Sequence, residues 1–474
     1  MADSNSHSAE PAATSQLRRA LGRWDLVLLF VVAITNLNVV PVVAANGAVT
    51  VWLWLIALAL FFWPQGVAVI ELSRRYPQEG GIYVWTKELF GDFHGFISGW
   101  CYWTNNIFYV PTVLLYMVGI GVYVGGSRSA HWGDNRLFVF LFSVGLLWLL
   151  TWLNVRGLGV GKWVNNAGGI GTAVAAVALI GLAAIAVHSH GSTLPASSFS
   201  FHSADWRLLS SFGVICFGLV GLELGSVMGD EIRDPRHTVP FAVMWGGIIC
   251  GTLFVLATLA VLLAVPQHEI GVVQGILQAV SRLAIESKVA WLVPPIAFVL
   301  TISTAGIASA WFSGSARIPF VAGLDRYLPS ALGKVHQRYH TPHVAMIVQA
   351  VLSMAFLGMS FLGSSVKDAY LTMLDLAVIL QLVPFVYMYA AVIRLAGRRD
   401  SAGMYGPRRL WISGVCGLVA TSLGIVLAMV PAEGITSIGY FELKMCIGVG
   451  LFLGVATLCF WYYGRRGVKA VLSG

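Results

Sequence analysis

Residues 214–231, VICFGLVGLELGSVMGDE, lie in a long apolar run, yet they carry Gly218, Gly221, Gly225 and Gly229, a carboxyl at Glu223 and the acidic pair Asp230 and Glu231. Glycine is among the poorest helix formers, and a carboxyl is costly at the depth of hydrocarbon. The rest of the chain makes hydrocarbon its setting. Of 474 residues, 57% are hydrophobic and 11% charged, with a mean hydropathy of +0.79, which leaves too few polar side chains to cover a soluble globule.

Crossing about 30 Å of hydrocarbon takes roughly 20 apolar residues. Such runs recur at 26–48, 52–73, 93–125, 136–155, 163–187, 208–228, 240–265, 288–318, 342–362, 368–395, 408–430 and 441–464. The expected fold is therefore an all-α integral membrane protein with twelve transmembrane helices. An even number of crossings puts both ends on one side, and Lys and Arg favour cytoplasmic loops. With the amino terminus inside, 22 of the 29 basic residues fall on inner segments. This predicts a multi-pass protein of the cytoplasmic (inner) membrane with both termini cytoplasmic. The net charge of +8 then reflects topology and contact with anionic lipid, and gives no reason to invoke nucleic acid.

The six cysteines all fall within the expected spans, where thiols act as small apolar side chains, so neither a disulfide nor a metal reading arises. Residues 1–23 have no apolar core and read as a disordered cytoplasmic tail. The expected domains are a first repeat at 24–190 (helices 1–5), a second at 200–398 (helices 6–10), and helices 11–12 with a short cytoplasmic tail at 405–474.

In lipid, irregular backbone persists only where it lines a cavity, so a break in a span points to a site. Transporters built from inverted repeats place such breaks in corresponding helices of the two halves. One break is expected at 217–221, around Gly218 and Gly221. The other lies in the first span, AITNLNVVPVVAANG, where Thr35, Asn36 and Asn38 sit mid-membrane ahead of Pro41. Small residues four apart also let helices approach closely, so Gly225 and Gly229 have a packing explanation as well. An unwound turn frees N–H groups on one half-helix and carbonyls on the other, aided by the helix dipole. A small amino acid can then be gripped at both its charged ends.

Three motifs carry a family resemblance. CFGLVGLELGSVMGDEIRDPRHTVP (216–240) resembles the sixth-helix signature of the amino acid/polyamine/organocation superfamily. ELSRRYPQEGGIYVWTKELFG (71–91) resembles its second-helix exit, with Pro77, Gly80, Gly81 and Tyr83 matching. RIPFVAGLDRYLPSALGKVHQRYHTP (317–342) resembles the loop after its eighth helix. The resemblance implies a five-plus-five inverted repeat with discontinuous helices 1 and 6, two further helices, and alternating access. It implies Phe217 as an aromatic gate and, from arginine/agmatine exchangers of that superfamily, Trp311 as a pocket wall with Asn105 and Asn106 facing the solute. Either Asn could instead only tie helices together. The sequence departs from the family where its glycine- and serine-rich first-helix turn reads Ile34, Thr35, Asn36. A guanidinium-reading Asn falls near Val110, and the fifth helix has no Lys, with Thr172 near that place.

These residues define the expected function: a secondary active amino acid permease, by symport or exchange, with no cofactor. Its expected substrate contacts are Thr35, Asn36, Asn38, Asn105, Asn106, Phe217, Gly218, Gly221 and Trp311. Glu223 and Asp375 are the candidates for a proton-linked step, and Glu71 reads as a fixed structural carboxyl. An amine or polyamine carrier is the alternative, and a substrate-sensing receptor on a carrier scaffold ranks below both. An enzyme would need ligand His pairs or a nucleophile elbow, and neither is present in the sequence.

Overall fold

The computed structural model describes the chain from Leu21 to Leu472, except residues 79, 192–193, 201–207, 210, 229–231, 326, 362–365, 399–402 and 430–437. Most of the expected disordered tail, and Gly229, Asp230 and Glu231, therefore lie outside the described residues. Among the described residues the chain is helical, with a single isolated parallel bridge between Leu21 and Ile232.

In chain order the helices are α1 (Arg23–Ile34), α2 (Val39–Ala44), α3 (Thr50–Ala57), α4 (Trp63–Arg75), α5 (Ile82–Phe90), α6 (Asp92–Gly121), α7 (Arg136–Val155), α8 (Leu158–His190), α9 (Ser211–Gly218), α10 (Leu224–Val227), α11 (Pro235–Ala264), α12 (Gly275–Glu286), α13 (Val293–Ser315), α14 (Arg317–Leu324), α15 (His343–Ser360), α16 (Val366–Ala396), α17 (Pro407–Ala428) and α18 (Ile438–Leu472). α3 runs into α4 through a π-helical turn at Leu58–Phe62, and Tyr389 Oη donates to the Phe61 carbonyl there at 2.8 Å.

Among the described residues, nine helical stretches are long and apolar enough to cross a membrane. The other three expected spans fall on α1 with α2, on α9 with α10, and on the shorter apolar stretch His343–Met359. The spans expected at 93–125 and 288–318 correspond to helical stretches of 34 residues each, Asp92–Gly125 and Ala290–Gly323. The helices α5 and α12 were not expected, because both are short and lie in connections that carry no long apolar run.

Both expected breaks are present. α1 stops at Ile34 and α2 starts at Val39, leaving Thr35–Asn38 irregular. The second break is shifted from 217–221 to 219–223, because the Leu219 N–H still reaches the Ile215 carbonyl at 3.1 Å. Winding is lost around Gly221, whose φ of +139° is one that side-chain-bearing residues rarely adopt. Phe217 and Gly218 thus close the first half-helix and do not lie in the break. Gly225 packs: a Cβ there would come within 2.9 Å of Leu26 and Phe30.

α13 packs on α8 and α6, α16 on α17 and α6, and α1 on α11 and α8. Contacts also define two ends of the bundle. At one end Leu21 pairs with Ile232, and the Gly80 N–H donates to the Val227 carbonyl at 3.2 Å. Glu71 is held there by Arg75 at 2.7 Å and by the N–H groups of Met404 and Tyr405 at 2.8 and 3.2 Å. That carboxyl is a clamp on the loop before α17, as its sequence reading expected. Lys87 Nζ and Tyr83 Oη both donate to Asp325 Oδ2, at 2.7 and 2.6 Å, tying α5 to the chain after α14. Burial and the adjacent Asp325 carboxylate hold the Tyr83 phenol well above its ordinary pKa, so it stays a donor. The other end is tied by Tyr123 Oη to Gln274 at 3.0 Å and by Arg136 to the Phe361 carbonyl.

α8 and α13 cross with their backbones in contact at Gly168 and Gly306, where a Cβ on Gly306 would lie 2.7 Å from the Gly168 Cα. Gly306→Leu should cost about 1–3 kcal/mol by overpacking and lower the melting temperature of the detergent-solubilised protein. Gly145→Leu, where a Cβ would meet open space, should leave it unchanged. Equal behaviour of the two variants would remove the close crossing from the account.

Candidate functional site

The two breaks meet. A Cβ on Gly221 would lie 2.8 Å from Ile34 Cγ1 and 3.5 Å from Ala33, and one on Gly218 would lie 2.9 Å from Val39 Cγ2. The last turn of α1 therefore rests on 219–223, and the start of α2 rests on the end of α9.

Some of the groups freed by unwinding find partners within the protein, as apolar surroundings favour. The Ala33 carbonyl, at the end of α1, accepts from Asn36 Nδ2 and from Trp311 Nε1, each at 2.9 Å. The Gly221 N–H donates to Glu223 Oε2 at 2.9 Å. Glu223 is fully buried and also accepts from Gln65 Nε2 at 2.9 Å and Tyr102 Oη at 3.1 Å. Hydrogen bonds to a charged group contribute about 1.5–3 kcal/mol each, so three together offset much of the cost of burying this carboxylate. Glu223 is thereby a structural part of the break.

Aromatic rings close one side. Tyr109 stands edge-on to Phe217 at 5.0 Å and to Trp311 at 5.8 Å, while Tyr102 is tilted against Trp311 at 6.3 Å. These tyrosines share a face of α6 with Asn106, whose Nδ2 donates to the Tyr102 carbonyl at 2.9 Å and leaves Oδ1 without a partner.

Not every expected residue joins this cluster. The Asn105 amide is committed to the Tyr102 carbonyl and to Gln381, tying α6 to α16. Thr35 turns its hydroxyl to Cys250 Sγ on α11 at 3.2 Å. Asn38 is bound to Tyr370, with Nδ2 at 3.3 Å from Oη and Oη donating to the Asn38 carbonyl at 3.2 Å. Asp375 is half-buried on α16, without a hydrogen bond among the described residues. Gln65, Tyr102, Tyr109, Tyr370 and Gln381 were missed, and a search for uncharged polar groups inside spans would have found the two glutamines. Among the described residues no three His, Cys, Asp or Glu gather as a metal site.

A bundle of membrane-length helices agrees with the comparison of the sequence with known proteins. The amino acid permease family profile matches residues 21–452. The chain belongs to the amino acid permease family. This permease is 28% identical over 469 residues to an uncharacterized transporter of Legionella pneumophila, covering 95% of this chain and 97% of the relative. It is 22% identical over 400 residues to a probable agmatine/putrescine antiporter of Lactococcus lactis, covering 82% and 81%. It is 25% identical over 353 residues to a branched-chain amino acid permease of Bacillus subtilis, covering 70% and 74%. The permease is thus a multi-pass membrane protein that transports amino acids or amines.

Gly221→Ala would place a methyl group against Ile34 and force a strained φ, at about 1–3 kcal/mol. Transport by this variant should fall roughly tenfold at unchanged membrane yield, and Phe217→Ala and Gly218→Leu should also lose uptake. Wild-type transport in all three would leave these residues as packing only.

Proposed function

We propose that this permease is a secondary active transporter of the cytoplasmic membrane that moves an amino acid or a related amine by alternating access, as a symporter or exchanger. The observation that carries the reading is the packing of two interrupted spans on each other, the end of α1 against Gly221 and the start of α2 against Gly218, beside Phe217, Tyr109 and Trp311. In this reading α1 with α2 and α9 with α10 are the discontinuous helices 1 and 6 of twelve, arranged as a five-plus-five inverted repeat over 24–190 and 200–398. Helices 11 and 12 follow at 405–474. Both termini are cytoplasmic, supported by the Lys and Arg excess on that side, and the end clamped by Lys87 and Asp325 is then the inner one.

The solute contacts are Asn36, Asn106, Phe217, Gly218, Gly221 and Trp311, while Thr35, Asn38 and Asn105 shape the walls. Alternating access needs an element with two arrangements, and half-helices that touch only across a break can tilt separately. Phe217 opening one way, and the Lys87, Tyr83 and Asp325 clasp opening the other, supply the two gates.

Glu223 is the group placed to couple a proton. Every partner in its present shell donates to it, so a protonated carboxyl must find an acceptor. Gln65 supplies one by turning its amide over, because its Oε1 is buried without a partner. Protonation would therefore loosen the contact between α4 and the break.

Counterflow in proteoliposomes tests both parts. Preloaded liposomes containing the purified permease should accumulate labelled amino acid or amine against its gradient. Glu223→Gln should keep counterflow but lose the stimulation of net uptake by an imposed pH gradient. A full response to the gradient in that variant would exclude Glu223 from coupling.

A further inference from the structure

We propose that the permease binds an anionic phospholipid in the groove between α4 and the start of α17, with the guanidinium of Arg409 holding the lipid phosphate. The inference goes beyond transport and assumes nothing about the solute.

Arg408 and Arg409 stand in the first turn of α17, and both are exposed. Arg409 is held in place by two rings. Its guanidinium carbon lies 4.1 Å from the centre of the Tyr405 ring and 5.6 Å from that of Trp63, within the reach of cation–π attraction. A guanidinium lying against a ring keeps its N–H groups in its own plane, directed away from that ring. The aromatic contacts therefore fix the group without using its hydrogen bonds.

Protein carboxylates do not use them either. Neither Arg408 nor Arg409 forms an ion pair among the described residues. Glu71, which the Tyr405 N–H reaches, is already held by Arg75 and by the N–H groups of Met404 and Tyr405. No acidic residue stands in the first turn of α17. Two positive charges thus share one short segment without a described counter-ion.

Their place in the bundle selects a lipid. Thr50–Arg75 and Pro407–Ala428 are both membrane-length apolar stretches, and α17 packs on α4 and on the π-helical turn before it. Trp63 stands about two turns ahead of Glu71 on α4, so the Arg409 guanidinium is drawn from the aqueous end toward the hydrocarbon. A charge there is costly without a partner.

Exposed apolar side chains lead away from this point on both helices. On α17, Ile412, Val419 and Leu423 follow Arg409 at helical spacing, and Ile56 and Leu60 precede Trp63 on the other stretch. Because Glu71 near the end of α4 holds the loop that opens α17, the two stripes run in the same direction, away from the charged end. An inorganic anion would match the guanidinium and leave the apolar walls unused. A phospholipid matches both, its phosphate on the planar fork and an acyl chain along the groove. Two arginines repel the cationic headgroup of a zwitterionic lipid, so the occupant is anionic. On the topology proposed above, it belongs to the inner leaflet.

The test uses the purified permease, stripped of lipid in detergent and titrated with phosphatidylglycerol or with phosphatidylcholine of the same acyl chains. Bound lipid is counted by native mass spectrometry, and the melting temperature reads binding in solution. Phosphatidylglycerol should half-saturate the protein at a concentration about tenfold or more below that of phosphatidylcholine and should raise the melting temperature, whereas inorganic phosphate should not. Arg409→Gln should weaken phosphatidylglycerol binding about tenfold. Arg409→Lys keeps the charge but loses the planar fork, and it should also bind less tightly than wild type. Lys334→Gln removes an equal charge from another exposed loop position and should leave binding unchanged. All three positions altered are exposed on the surface or at its edge, so membrane yield should stay at the wild-type level.

Equal half-saturation by the two lipids would overturn the proposal, because the charge would not be read. Stabilisation by inorganic phosphate equal to that by phosphatidylglycerol would leave an anion site that holds no lipid, and would overturn it too. So would equal losses in Arg409→Gln and Lys334→Gln, which would reduce the attraction to that of a basic surface, or wild-type affinity in Arg409→Lys.

Discussion

A membrane core contains no water to partner a peptide group, and that constraint governs this protein. Opening a helix at mid-depth exposes N–H and C=O groups that must be satisfied from within, at several kcal/mol each if they are not. The first break is closed by Asn36 and Trp311 on the Ala33 carbonyl. The second is closed by Glu223 on the Gly221 amide. Glu223 in turn needs Gln65 and Tyr102, so α4, α6, α10 and α13 are all recruited to stabilise two short interruptions.

The same economy separates framework from moving parts. Backbone contact between Gly168 and Gly306 locks α8 to α13, while α1 ends against Gly221 in the second break and α9 ends against Val39 at the start of α2. The ion pair of Lys87 and Asp325 is partly exposed, a type of contact that contributes little stability in water and can therefore open at small cost. Rigid apolar crossings around a centre of short half-helices give the molecule a place where motion is cheap.

Much of this was legible in the sequence, because hydropathy and helix-breaking residues act locally. The spans, the first break at Asn36 and the second near Gly221 follow from residue type alone. The break positions moved by a residue or two, since Gly218 permits unwinding without requiring it and the turn is fixed by the contact of Gly221 with Ile34. What remained hidden was which polar atoms already had partners. Asn105 and Asn106 are adjacent and identical in the chain, yet one is consumed by Gln381 and the other keeps a bare oxygen. Only helix packing distinguishes them. Gln65 and Gln381 carry no charge and interrupt no run, so they leave no mark on a hydropathy profile.

The π-helical turn at Leu58–Phe62 bears on how this span can change over evolutionary time. A wide turn of this kind amounts to one extra residue within the helix, which rotates everything after it by about 100° around the axis. Gln65 follows that turn directly, so its bearing on Glu223 depends on the inserted residue being there. Loss of a single apolar residue upstream would leave hydropathy and length almost untouched, yet it would swing the amide away from its carboxylate. The register of the second span is thus counted to the residue, and a lineage could alter coupling by a deletion in a segment that touches no solute.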